Sequence, residues 1–168
     1  MMAPRSTPSA MHAYILWIAT LAYSIHVIEE YVFDWKTWAR AVFRLPVTWP
    51  IFGIVNAAVV VLGIACSSVG WICPSFALSL PALMLINATF FHIFPFLFTR
   101  GRFSPGLGTA VLLFYPVALW SYYGAYLDGV LTYPIAGISF LIGAAEMATP
   151  IIMLKVKQHP YFKQEEST

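Results

Sequence analysis

The stretch Met11–Phe33, MHAYILWIATLAYSIHVIEEYVF, decides the fold. It is apolar for longer than the roughly 20 residues a helix needs to cross a bilayer. Near its end stand His26, Glu29 and Glu30. Four further runs read the same way: Pro50–Val69, Pro74–Phe98, Leu107–Tyr126 and Leu131–Leu154. They are apolar on every face, which does not suit barrel strands, where polarity alternates. Pro50, Pro74 and Pro134 stand at or near helix starts, where a missing N–H costs nothing. Met11–Phe33 has no small-residue cleavage site, so it reads as a mature span and not as a signal peptide.

The expected fold is therefore all-α: a polytopic membrane helical bundle of five transmembrane helices. Its single domain is 11–154, between a polar N-terminal tail at 1–10 and a charged C-terminal tail at 155–168. Composition supports this. Of 168 residues, 60% are hydrophobic and 10% charged, against roughly 25% charged in soluble domains. Seven acids and nine bases cannot cover a soluble surface of this size. A soluble enzyme, a disordered tail and a nucleic-acid partner are excluded, and the lipid bilayer is the expected surrounding.

The charges set an orientation. Lys36, Arg40 and Arg44 separate the first two runs, Arg100 and Arg102 the third and fourth, and Lys155, Lys157 and Lys163 follow the fifth. With five spans all three groups fall on one side. Arg5, the uncharged turn around Ser67–Gly70, and Asp128 fall on the other. The positive-inside rule then places the N-terminus outside and the C-terminus in the cytoplasm. Cys66 and Cys73 bracket the turn, leaving two expectations: a disulfide, or two small apolar fillers. Gly137, Gly143 and Ala144-Ala145 suit close packing of the last span on a neighbour.

Ionisable residues inside spans are costly and usually functional. Here they are His26, Glu29, Glu30, His92 and Glu146, with the amides Asn56 and Asn87. His26, Glu29 and Glu30 share about 100° of one helix side, and Tyr23 continues the stripe. At 1.5 Å per residue, His26 lies roughly 11 Å from the cytoplasmic end, Glu30 roughly 5 Å, His92 and Asn56 roughly 9 Å, Glu146 roughly 12 Å and Asn87 roughly 16 Å. Spans of opposite direction thus place their polar groups in one layer. Pro95, Pro116 and Pro150 each leave a carbonyl four residues back without its helical donor. Asn87 and His92 are five apart, about 140° round an α-helix, so they are not expected to face inward together. His92 is the expected member of the site and Asn87 its support.

The string His26-Val27-Ile28-Glu29-Glu30 in a first span, with Asn87 and His92 in a later one, resembles the signature of the HXXEE-domain membrane proteins. The resemblance covers roughly Tyr14 to Leu154 and implies a polar site without naming a reaction. A looser similarity, of architecture alone, is to five-span sterol isomerases.

Three functions suit this pattern. The first is acid–base chemistry on a lipophilic small molecule, such as isomerisation, cyclisation or epoxide opening. His26, Glu29, Glu30 and His92 would act as catalytic residues, with Asn56, Asn87, Tyr23 and Glu146 binding or supporting the substrate. The second is a metal-dependent membrane hydrolase. His26, Glu30 and His92 would hold a divalent metal such as zinc, and Glu29 would be the base. The third is a proton or ion transporter or an assembly factor. Association of several copies is compatible with the pattern, and a pore would need it.

Overall fold

The computed structural model describes residues 10–157 and 159–162. Residues 1–9 with Arg5, residue 158, and 163–168 with Lys163 lie outside the described residues, as does most of the polar N-terminal tail and the end of the charged C-terminal one. Every element among the described residues is helical. In chain order they are α1 (Ile15–Val32), α2 (Trp35–Val42), α3 (Trp49–Val69, continued by a 3₁₀ turn over Gly70–Ile72), α4 (Pro74–Phe98), α5 (Leu107–Leu127) and α6 (Tyr133–Lys157). All but α2 are long and apolar enough to cross a membrane.

The segment between the first two spans is more than a connection. Trp35, Trp38 and Ala39 recur at i, i+3 and i+4, so α2 has one apolar side, and Lys36 and Arg40 take another. Trp38 and Ala39 pack with Leu45, Val47 and Phe52, against which Ile151 and Leu154 of α6 also rest. Arg40 ties the element down by donating from Nε to the carbonyl of Val47 at 2.7 Å. This cluster, the Phe33–Phe103 ring pair at 5.3 Å, and Glu29 bonded to Gly108 gather one end of the bundle. All seven lysines and arginines among the described residues belong to that end.

The opposite end is clasped by Asp128. It accepts from the backbone N–H of His12 (2.8 Å), from His12 Nδ1–H (2.7 Å) and from Trp71 Nε1–H (2.8 Å). Burial pushes this carboxyl up, but the hydrogen bonds from His12 and Trp71 outweigh it and hold Asp128 below the ordinary carboxylate range. A depressed carboxyl stabilises the fold above its unfolded value of about 3.9. That stability is lost as pH falls through the lower folded value. Asp128→Asn is expected to cost about 1–3 kcal/mol at neutral pH, because a buried donor is left unpaired. The difference from the wild type should shrink at about pH 3. Melting temperature against pH in detergent reads this; a constant difference would contradict it.

The core joins Ala19, Ala22 and Tyr23 of α1 to Leu80, Leu83, Met84 and Ala88 of α4 and to Ala110, Phe114 and Ala118 of α5. Small residues let these backbones approach. Gly143 of α6 does the same, since a Cβ there would lie 2.8 Å from Leu83 N and 2.9 Å from Ser79 O of α4. At Gly137 the space is open. Both cysteines are free thiols, Cys66 buried and Cys73 exposed. Cys66 donates to the carbonyl of Phe76 at 3.3 Å.

Two spans contain a π turn, over Ala88–Ile93 in α4 and Ala110–Phe114 in α5. Each ends two residues before a proline, Pro95 and Pro116. A proline ring clashes with the carbonyl four residues back, and the wider i→i+5 turn makes room for it. That turn also brings residues five apart into register. Asn87 and His92 are both buried, against the 140° separation that a regular α-helix imposes.

Candidate metal centre

His26 and Glu30 are one turn apart on α1, so they share a face. The π turn of α4 delivers His92 to the same point. Glu30 Oε1 lies 3.6 Å from His26 Nε2 and 3.6 Å from His92 Nε2. The two imidazoles meet edge to face with centroids 4.8 Å apart. All three residues are buried, and one ligand atom from each lies within 4.8 Å of the others. These three can hold a metal ion.

Hydrogen bonds on the far side of each ring fix which nitrogen is free. Thr109 Oγ1 donates to Glu29 Oε2, so its lone pair accepts from His26 Nδ1–H at 2.8 Å. Ser104 Oγ donates to the carbonyl of Phe91 at 3.4 Å and accepts from His92 Nδ1–H at 3.2 Å. Both contacts suit Nδ1–H tautomers, in which the Nε2 atoms that face Glu30 carry the lone pairs. Neither Nε2 has a hydrogen-bond partner. Two buried, unpartnered lone pairs aimed at one carboxylate are costly unless something positive joins them. Orientation of a ligating histidine through its other nitrogen is the usual support of a metal site.

Glu29 is turned elsewhere. Its Oε1 accepts from Gly108 N–H at 3.0 Å and its Oε2 from Thr109 N–H at 2.6 Å. These donors begin α5 and have no partner within their helix, and a negative charge suits that end. Glu29 therefore pins α5 to α1 and positions Thr109 under His26. Gly106, at φ +93, closes the group from the third side: a Cβ there would lie 2.6 Å from His92 Cε1 and 2.8 Å from His26 Cε1. Phe114 covers the His26 ring at 4.1 Å.

The remaining polar residues surround an adjoining cavity of about 80 Å³, which Glu30, Tyr23, Asn56, Asn87 and Glu146 all line. That is room for roughly two or three waters. Tyr23 donates to Asn56 Oδ1 at 2.7 Å, and Asn56 Nδ2 to the carbonyl of Phe52 at 2.9 Å. Glu146 Oε1 accepts from Ser79 at 2.9 Å. Thr109, Ser104 and Gly106 escape the sequence reading. Their only mark is the stretch Ser104-Pro105-Gly106-Leu107-Gly108-Thr109, which reads as a turn before a helix.

The chain is thus a bundle of five membrane-length helices around a buried His–Glu–His group. Residues 17–121 match the family described as protein of unknown function with HXXEE motif, and the chain belongs to that family. The match takes in His26, Glu29, Glu30 and His92 and stops before α6. No curated protein and no solved structure gives a match.

Proposed function

We propose that this is a multi-pass membrane protein that binds one divalent metal, zinc by its donor set, at His26, Glu30 and His92, and hydrolyses a lipophilic small molecule there. The observation that carries this is the pair of buried Nε2 atoms, each 3.6 Å from the same Glu30 oxygen. Tetrahedral bonds of 2.0–2.2 Å set ligand atoms about 3.4 Å apart, close to these two contacts, and all three ligand atoms lie within 4.8 Å of one another. Two imidazoles and one carboxylate leave a fourth position open, as in catalytic zinc sites. A zinc ion so held supplies a Lewis acid and lowers the pKa of water. In this reading Glu29 and Thr109 are positioning residues, and Glu146 is, among the described residues, the one carboxylate outside the ligand set that reaches the adjoining cavity.

Elemental analysis of detergent-purified protein is expected to find about one zinc per chain. His26→Ala, His92→Ala and Glu30→Gln should each lose most of it. Any hydrolysis should stop on chelation and return with zinc. Protein that is metal-free, or that keeps its metal without both histidines, would overturn the reading. The two 3.6 Å contacts also favour a second reading, in which one proton is shared among the three groups for isomerisation, cyclisation or epoxide opening. Activity in metal-free protein that chelators do not touch would select it.

The gathering of lysines and arginines at the site end supports placing that end in the cytoplasm. A membrane-impermeant maleimide is then expected to label Cys73, which is exposed at the opposite end, on intact cells. It should reach Arg102→Cys, in a chain with Cys73→Ser, only after permeabilisation. The reverse pattern would overturn the orientation.

A further inference from the structure

The cavity beside Glu30 does not end at its own walls. Val55, Val59, Glu146 and Pro150 also line a groove of about 570 Å³ between α3 and α6. That volume falls within the range of small-molecule sites. The groove is apolar along Ile54, Ala58, Leu62 and Met153, with Lys157 at its rim. Ala58 and Met153 are exposed, on surfaces that a bilayer would cover. Groove and cavity thus meet at a shared wall, with Glu146 between the lipid side and Glu30.

The charge around the cavity is one-sided: among the described residues its walls carry the carboxyls of Glu30 and Glu146 and no lysine or arginine. The hydroxyls of Tyr23 and Ser79 and one N–H of the Asn56 amide are spent inside the protein. Asn87 Oδ1 and Glu146 Oε2 are buried acceptors without partners. Asn87 is only 8% exposed, its Nδ2 faces the Met147 sulfur, and its side chain also stands against His26. Trp35 adds one neutral N–H donor. A metal at the centre answers the charge of Glu30 but not that of Glu146. An uncompensated carboxylate so placed favours a positive, donor-rich occupant, and an ammonium has three donors and no acceptor.

We propose that the cavity receives the protonated head of a single-chain lipophilic amine, which donates to Glu146 while its chain lies in the α3–α6 groove. This names a ligand class for the cavity beside the site proposed above and rests on that membrane reading.

The test is photolabelling of the metal-loaded protein with a long-chain primary amine carrying a mid-chain diazirine, beside the matching alcohol and carboxylic acid. The amine is expected to label α3 and α6 several-fold more than either. Glu146→Gln should lower amine labelling at least tenfold. Ala58→Trp or Met153→Trp, which fill the groove from outside, should do the same, with zinc content unchanged in all three. His92→Ala, expected to lose zinc, should still label, so failure of the metal reading and failure of this one are separable. Preferential labelling by the acid would indicate a lipid held by Lys157, and equal labelling by the alcohol a neutral head. Either result, or amine labelling indifferent to Glu146→Gln, would overturn the proposal.

Discussion

Gly106→Ala is expected to lower metal affinity by on the order of 100-fold, the upper end of what changes around ligands cost. Two effects combine. The added carbon would lie 2.6 Å from His92 Cε1 and 2.8 Å from His26 Cε1, so both rings must move off the shared point. The backbone at φ +93 is also strained for any residue with a Cβ. Competition with a fluorescent chelator reads the affinity, and circular dichroism establishes that the helices persist. Affinity within a factor of three of the wild type would mean that the rings do not need their present places.

Gly143→Leu is expected to be the most damaging change outside the site, costing about 3 kcal/mol or more, since overpacking of a tight contact reaches that range. The atoms in its way, Leu83 N and Ser79 O, are backbone and cannot swing aside as a side-chain tip would. Movement of α6 off α4 would also part Glu146 from Ser79 and open the cavity. Thermal melting in detergent measures the loss. Gly137→Leu, in open space, is the control and should melt near the wild type; equal effects at the two positions would contradict the packing.

Much of this was legible in the chain. The five spans follow from runs of about 20 apolar residues, and Pro74, Phe98 and Leu107 fall where the sequence puts them. His26 and Glu30 are paired by helical spacing alone, and His92 by its depth. Other features depend on tertiary placement. Glu29 reads as an equal member of the site until α5 brings its free N–H groups beside it. Ser104 and Thr109 carry no signal of their own, because their role is set by which ring nitrogen they face. The joint burial of Asn87 and His92 needed the π turn, which Pro95 announces but regular helix geometry hides. α2 is only eight residues long, too short for its Trp35, Trp38 and Ala39 stripe to declare a helix in the sequence.

The central claim is that two imidazole Nε2 atoms and one Glu30 oxygen bind a metal together. X-ray absorption at the zinc edge of the purified, zinc-loaded protein tests it most directly. The expected spectrum has only nitrogen and oxygen neighbours at about 2.0–2.2 Å, with the outer-shell signature of two imidazoles. His26→Ala and His92→Ala should each abolish the bound zinc. A sulfur shell at about 2.3 Å, or a spectrum unchanged by either substitution, would contradict it.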